Sequence, residues 1–184
     1  MTQRDQTAAP EPKPHGCLSR RGFLLAGGGA TVILAAGCAG LRFPRGTALQ
    51  VVEYPRKRVA GLADVKPHKP LIFSYPGEGP QSLSFLIDVD DLAAGGVGSN
   101  QSIIAFSGTC THMGGPLAGA YVKEWAVAGP CPLHLTTFDL RRHGMVASGH
   151  ATESLPQVRL EIEGDDIYAT GVMGLIYGLD RNDG

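Results

Sequence analysis

The sequence predicts an all-β fold in which an antiparallel base sheet or sandwich carries a small inserted subdomain. Short apolar runs rich in β-branched and aromatic residues recur after residue 48, and each is bounded by Pro or Gly. No apolar stripe of 3.6-residue period longer than two turns occurs in the same region. The 26 glycines and 13 prolines favour short strands joined by tight turns over helices.

The predicted strands are spread over most of the chain after residue 48. They lie at residues 49–53, 71–75, 82–88, 102–107, 125–128, 158–163 and 167–170. The last two form a hairpin, because Gly164-Asp165-Asp166 supplies a tight turn between them. Residues 90–94 are interpreted as a short helix, and Trp125 is expected to lie in the core.

The N-terminal region differs in composition from the rest of the chain. Residues 1–16 are polar and aperiodic, which predicts disorder. The run SRRGFLL at residues 19–25 is typical of a twin-arginine export signal, and residues 22–41 carry no charge. That apolar stretch is close to the ~20 residues that cross a bilayer, so a membrane anchor stays open. We expect an N-terminal region at 1–44, a folded domain at 45–178, a polar tail at 179–184, and a periplasmic location.

Charge and cysteine content exclude several classes of function. The formal net charge of −1 provides no basic field for nucleic acid. Cys17 and Cys38 lie in the N-terminal region, which leaves Cys110 and Cys131 in the folded domain. If these two are metal ligands, the domain has no spare pair for a disulfide. No Ser-His-Asp set, phosphate loop or paired carboxylate site is evident, so we do not expect the chain to be catalytic alone.

Residues 110–139 contain two short loops of the same composition. Each has one Cys and one His: Cys110 with His112, and Cys131 with His134, eighteen residues separating the two motifs. Gly and Pro around both motifs allow the backbone to turn tightly around a bound group. Two thiolates and two imidazoles can bind zinc, but they are also the ligands of a Rieske [2Fe–2S] centre.

The motif C-x-H followed by C-P-x-H-x-x-x-F-D resembles the two cluster loops of Rieske proteins. The longer stretches CPLHLTTFDLRRHGMVASGHATESLPQ and DDIYATGVMGLIYG are most similar to the small subunit of bacterial arsenite oxidase. This resemblance covers roughly residues 45–178. It implies a Rieske fold with a cluster-binding subdomain at about residues 104–150 and one [2Fe–2S] cluster per chain. Cys110 and Cys131 would bind the inner iron, and His112 and His134 the outer iron.

The resemblance also assigns residues around the cluster. Gly115 and Leu133 stand where many Rieske proteins carry a disulfide between the loops, and Leu133 is expected to pack against the Gly115 backbone instead. Thr136 and Phe138 match a Ser and a Tyr that donate hydrogen bonds to cluster sulfurs in quinol-oxidising relatives. Thr136 keeps a hydroxyl donor and Phe138 does not, so a lower reduction potential is expected.

Other residues near the loops have simpler interpretations. Pro156 is either a third flap over the cluster or a plain turn. His68 is interpreted as a solvated loop residue, and His143 and His150 as turn or interface residues. An apolar rim is expected around the His ligands, either contacting a partner or shielding the cluster from water. Its members are Met113, Leu117, Leu133 and Leu135.

The resemblance implies the electron-transfer subunit of a periplasmic arsenite oxidase. The partner would be a molybdopterin-containing large subunit, and a cytochrome c or small copper protein would accept the electrons. The alternative is the Rieske subunit of a quinol-oxidising cytochrome complex, against which stand the missing disulfide and Phe138. A soluble ferredoxin of an aromatic-ring dioxygenase would not need the export signal. A zinc module would show no visible absorption.

Overall fold

The computed structural model describes residues 51–180, and nearly all of their regular structure is strand. The strands are β1 (Val51–Gly61), β2 (Leu71–Ser74), β3 (Leu83–Asp88), β4 (Ile103–Ser107), β5 (Tyr121–Val122), β6 (Val127–Ala128), β7 (Thr137–Asp139), β8 (Met145–Ser148), β9 (Gln157–Glu163) and β10 (Asp166–Met173). Single 3₁₀ turns lie at Leu62–Asp64, Pro80–Ser82, Lys123–Trp125 and Leu140–Arg142. The all-β prediction is confirmed.

The strands form two antiparallel sheets. The base sheet has six strands in the order β1-β10-β9-β4-β3-β2, and the smaller sheet has four in the order β5-β6-β7-β8. The predicted hairpin joins β9 to β10, with Glu163 opposite Asp166 and Gly164 at a φ of 59° in the turn. Glycine adopts such a left-handed conformation without steric cost.

The smaller sheet is inserted between two neighbouring strands of the base sheet. β4 ends at Ser107 and β9 begins at Gln157, and the two strands pair through Ala105 with Val158 and Phe106 with Gln157. The chain therefore leaves the base sheet and returns to it at adjacent positions. This topology holds both ends of the insertion on the same rigid support.

Alternating side chains of the central strands supply two hydrophobic cores. On β3 and β4, Phe85 and Phe106 face the inserted sheet, with ring centroids 6.3 Å apart. Leu86 and Ala105 face the other side and pack with β9 and β10. Because successive strand residues point to opposite faces, a strand buried on both sides reads as a continuous apolar run. The core on the inserted side also contains Cys110 and Cys131.

The sequence-based prediction made the first strand too short and missed β5, β7 and β8. β1 runs eight residues beyond the predicted end at Glu53, and its pairing with β10 is interrupted between Glu53 and Lys57. Pro55 lies in this interruption, where its missing amide hydrogen does no harm at a sheet edge. β1 also carries charged residues that pair with neighbouring strands, as in Arg58 to Asp166 at 2.7 Å. These features mask the strand pattern in the sequence.

Two local predictions were wrong. Residues 90–94 form bends and turns instead of a helix. Asp90 has a φ of 56°, and its amide donates to the Asp88 carboxylate at 2.9 Å, which turns the chain away from a helical path. Trp125 ends a 3₁₀ turn and is 69% exposed, so it does not lie in the core.

The proposed export signal lies in residues 1–44, outside the part of the chain that the structure describes. Within residues 51–180, no helix has the length and apolar character needed to cross a membrane.

Candidate metal centre

Two loops with the same backbone hydrogen bonds carry the four predicted ligands. In loop 1 (residues 110–115), the Cys110 amide donates to the Gly115 carbonyl at 2.8 Å, and the Gly114 amide donates to the Cys110 carbonyl at 2.9 Å. In loop 2 (residues 131–136), the equivalent bonds run from Cys131 to Thr136 and from Leu135 to Cys131, both at 2.8 Å. The two Cys-x-x-x-x-x turns are therefore copies of one another.

The four side chains meet at the end of the inserted subdomain. Cys110 and Cys131 are each 1% exposed, and both are free thiols. The rings of His112 and His134 lie edge to face with centroids 4.8 Å apart. His112 is half-buried, while His134 is exposed. The thiols thus face inward and the imidazoles lie toward the surface.

The donor set fits a [2Fe–2S] cluster. The Nδ1 atom of His112 is buried and has no hydrogen-bond partner. Buried polar atoms are normally paired, so this nitrogen is suited to bind a metal. A [2Fe–2S] cluster requires only two protein ligands on each iron. Among the described residues, no three His, Cys, Asp or Glu side chains converge on one metal position.

Burial raises the pKa of the Cys110 thiol, and the adjacent Cys131 thiol raises it further, although backbone amides of the loop oppose the shift. Without a metal, Cys110 therefore keeps its proton at neutral pH. Iron binding has to displace that proton, because the thiolate is the ligand.

Leu133 and Gly115 are in contact across the two loops. A Cβ atom added to Gly115 would lie 2.5 Å from Cys131 Sγ and 3.1 Å from Leu133 Cγ. Leu133 therefore packs against the bare backbone of loop 1, where a disulfide would otherwise join the loops. Glycine at this position is required by the close approach of the Cys131 sulfur.

Thr136 and Phe138 are fully buried beside loop 2. Thr136 Oγ1 accepts a hydrogen bond from the His150 amide at 3.1 Å, so its own hydroxyl hydrogen remains available for another acceptor. Phe138 packs in the hydrophobic core on the inserted side and contributes no donor.

A third segment, residues 149–156, closes the site. The ring of His150 lies 5.7 Å from that of His112, and Thr111 Oγ1 donates to the Glu153 carbonyl at 2.9 Å. Pro156 is buried, and its carbonyl accepts from the Ser107 amide at 2.8 Å, where β4 meets β9. Contacts from this segment to the loops thus come from Gly149, His150 and Glu153.

Two remaining histidines connect the insertion to the base. His68 was expected in solvent, but it is half-buried, and its Nδ1 lies 3.0 Å from the Tyr121 hydroxyl with the rings stacked. His143 occupies a turn as expected, with a φ of 53°, and its Nδ1 lies 2.6 Å from the Gln157 side-chain oxygen. Gln157 donates in turn to the Ala94 carbonyl at 2.8 Å.

The apolar rim is smaller than the sequence predicts. Met113, Leu133 and Leu135 are exposed, but Leu117 is fully buried in the core. Its amide donates to the Gly108 carbonyl at 2.7 Å, so the chain after loop 1 turns inward.

Sequence reasoning missed Tyr177, whose ring contacts Gly114 in loop 1. The glycine gave no signal of this contact, because the two residues meet only through the packing of the C-terminal segment.

Comparisons with known proteins agree with this geometry. The family model of the Rieske [2Fe-2S] domain matches residues 56–159. The iodate reductase subunit IdrB of Pseudomonas sp. (strain SCT) is 52% identical over 167 residues, covering 89% of this chain and 84% of that protein. IdrB of Denitromonas iodatirespirans is 51% identical, covering 90% of this chain and 87% of that protein.

A solved structure agrees as well. The soluble domain of Rieske protein II (soxF) from Sulfolobus acidocaldarius is 27% identical to this chain, with a TM-score of 0.57. The match covers 65% of this chain and 78% of the soxF chain. The predicted Rieske fold is therefore confirmed. The chain belongs to the Rieske [2Fe–2S] family and carries a Rieske-type [2Fe–2S] cluster.

Proposed function

We propose that this chain is the electron-transfer subunit of a periplasmic molybdopterin oxidoreductase. The observation that carries the proposal is the asymmetry of the site: the thiols are buried, while the His134 ring is exposed and His112 half-buried beside it. The imidazole edge is the shortest route between the cluster and a docked partner. Substrate chemistry would take place in the large subunit.

Cys110 and Cys131 would hold the inner iron, and His112 and His134 the outer iron. The bound cluster supplies a one-electron carrier whose potential lies roughly between −150 and +300 mV, because neutral imidazoles replace two thiolates. The buried thiols and the third segment exclude water from the inner side. The Thr136 hydroxyl would donate a hydrogen bond to a cluster sulfur and favour the reduced state.

Iodate is the substrate that the relatives support. Both IdrB proteins are described as iodate reductase subunits, and each aligns with about nine-tenths of this chain. In a reductase, electrons would enter the Rieske cluster from a periplasmic donor such as a cytochrome c or small copper protein. They would then pass to the molybdenum centre of the large subunit.

Arsenite oxidation is the second candidate. It is supported by the resemblance of residues 131–157 and 165–178 to the arsenite oxidase small subunit. The same subunit would then work in the opposite direction, taking electrons from the large subunit and giving them to the cytochrome or copper protein. The direction of electron flow through the cluster therefore distinguishes the two substrates.

A quinol-oxidising cytochrome complex fits the site less well. Leu133 and Gly115 occupy the space between the loops, and the Phe138 ring is surrounded by core side chains. Both features depart from the disulfide and the Tyr donor of that class. The export signal at residues 19–25, cleaved or kept as an anchor, is compatible with either assembly.

The proposal can be tested on the native complex. The chain, tagged at its C-terminus, is purified from the periplasm or membrane, and molybdenum, iron and haem are measured in the copurified material. Molybdenum near one per subunit supports the molybdopterin partner. Iron with b-type haem and without molybdenum would instead support the quinol-oxidising complex.

The substrate is then tested through the cluster itself. If iodate is the substrate, iodate added to the reduced complex should oxidise the cluster and abolish its electron paramagnetic resonance signal. Arsenite added to the oxidised complex should then produce no such signal. The reverse pattern would select the arsenite oxidase. A complex carrying Cys131→Ser serves as the control. It should lack the cluster and therefore show no resonance signal in either experiment.

A further inference from the structure

We propose that Tyr177 is a positioning residue that holds loop 1, and through it two proposed cluster ligands, against the base of the protein. The inference rests on the assignment of Cys110 and His112 as ligands. It does not depend on whether iodate or arsenite is the substrate.

The contact between Tyr177 and loop 1 is direct. A Cβ atom added to Gly114 would lie 2.5 Å from Tyr177 Cε1, 3.0 Å from Cδ1 and 3.2 Å from Cζ. One edge of the ring therefore rests on the Gly114 backbone. Gly114 has a φ of 72° and its amide donates to the Cys110 carbonyl, so this ring contacts the turn that aligns Cys110.

The segment that carries Tyr177 is fixed to the base core. Ile176 is 2% exposed, and the Leu179 amide closes a turn onto its carbonyl at 3.2 Å. Gly174 packs against Pro156, with a hypothetical Cβ 3.4 Å from Pro156 Cα. Tyr177 itself is 38% exposed, so its ring covers the loop more than it fills a core. Movement of loop 1 away from the base is therefore opposed by this ring.

The ring also forms one wall of a crevice beside the site. The crevice has a volume of about 370 Å³ and is lined by Pro80, Gln81, Thr109, Gly114, Tyr177 and Gly178. Gly114 of loop 1 already lines this crevice beside the ring. Loss of the ring would widen the crevice over Gly114 and expose more of the backbone that turns around Cys110 to water. A ring in this place therefore limits solvent access from the base side.

The effect on the cluster has a defined sign. The oxidised cluster with its ligands is neutral, because the charges of two ferric ions, two sulfides, two thiolates and two neutral imidazoles cancel. The reduced cluster carries one more negative charge. Water stabilises the more highly charged state. Removal of the ring should therefore raise the midpoint potential and also loosen the ligands of loop 1.

Three variants of the full-length, cluster-loaded chain test the inference. Tyr177→Ala is compared with Tyr177→Phe, which keeps the ring, and with Tyr168→Ala as a matched control. Tyr168 lies on β10, where the guanidinium of Arg56 stacks on its ring at 3.8 Å, among contacts of the base sheet. Cluster loss in the presence of a chelator, the resonance spectrum and the midpoint potential are measured for each variant.

We expect Tyr177→Ala to lose its cluster several-fold faster, with a higher midpoint potential and altered g-values. Tyr177→Phe and Tyr168→Ala should keep the wild-type values. Wild-type retention, potential and spectrum in Tyr177→Ala would overturn the inference, as would a Tyr177→Phe variant that behaves like Tyr177→Ala. If Tyr177→Ala does not fold, Tyr177→Leu must show the same shifts in smaller measure.

A double-mutant cycle tests the contact itself. Gly114→Ala should accelerate cluster loss, because its new methyl group meets the ring and because φ is positive. Adding Tyr177→Leu should recover part of that loss, since the smaller side chain makes room for the methyl group. Additive effects of the two substitutions would contradict the proposed contact.

These readouts separate the two proposals. They concern cluster retention and potential, so a failed Tyr177 test leaves the molybdopterin partner and its substrate untouched. A wild-type chain that copurifies with haem and no molybdenum would contradict the proposed function and leave the role of Tyr177 intact.

Discussion

Loops 1 and 2 share one backbone turn but differ at its left-handed position. Loop 1 has Gly114 there, with a φ of 72°, and loop 2 has Leu135, with a φ of 60°. Gly114 is covered by Tyr177, whereas Leu135 is 67% exposed. A left-handed conformation costs an L-residue about 1–2 kcal/mol, and glycine avoids this cost.

The difference indicates separate constraints on the two loops. Loop 1 needs glycine at position 114 for two reasons. Its φ is positive, and the Tyr177 ring occupies the space of a side chain. Loop 2 faces solvent at the same position, so a side chain fits there and only the backbone cost remains. Loop 1 is therefore held by the base of the protein, while loop 2 presents apolar side chains on both sides of His134.

The largest expected effect, loss of the cluster, is the same for both loops. Cys110→Ser and Cys131→Ser should each abolish the cluster, because either change removes a thiolate from the inner iron. Iron content and visible absorption of the purified chain measure this loss. Cys17→Ser, in the N-terminal region, should keep full iron content. A cluster retained at wild-type level in either loop variant would contradict the ligand assignment.

The next effect separates the loops. Gly114→Ala should lower the free energy of unfolding by about 2 kcal/mol or more, since strain at a positive φ adds to contact with the Tyr177 ring. Leu135→Ala keeps the backbone strain and removes only an exposed side chain, so it should change stability by less than about 0.5 kcal/mol. Denaturant unfolding compares the two variants. Equal losses in both would show that the ring contact does not matter.

A third effect concerns the donors around loop 2. Because Phe138 matches the Tyr donor of quinol-oxidising relatives, we expect the hydroxyl of Phe138→Tyr to donate a hydrogen bond to the cluster sulfurs. Such a bond favours the reduced state, so the midpoint potential should rise by on the order of tens of millivolts. Protein-film voltammetry measures the shift. Phe85→Tyr, in the same core, is the matched control and should lower stability without moving the potential. An unchanged or lower potential in Phe138→Tyr would refute this role.

The smallest expected effect is a gain in stability when glycine is introduced at the left-handed position of loop 2. Leu135→Gly should raise the free energy of unfolding by about 0.5–1 kcal/mol, because relief of the left-handed strain exceeds the entropy that glycine loses on folding. If Leu135 also contacts the large subunit, the same variant should bind that partner more weakly. A loss of stability in Leu135→Gly would mean that its backbone strain is negligible.

The sequence alone determined the features that depend on neighbouring residues. The Cys and His types of both loops define the possible ligands, whatever the packing around them. Gly164 and Asp165 specify the β9–β10 turn, and short apolar runs bounded by Gly or Pro define most strands of the base sheet. Such features follow from local backbone preferences and side-chain chemistry, so the fold class and the candidate ligands could be read without a structure.

Only the tertiary structure decided which distant segments touch. It placed the Tyr177 ring on Gly114 and the His150 ring beside His112, and it placed Trp125 at the surface. These relations depend on how the insertion packs on the base sheet, and residues far apart in sequence carry no local signal of their contact. The covering of loop 1 and the exposure of loop 2 follow from that packing, although both loops begin from the same turn.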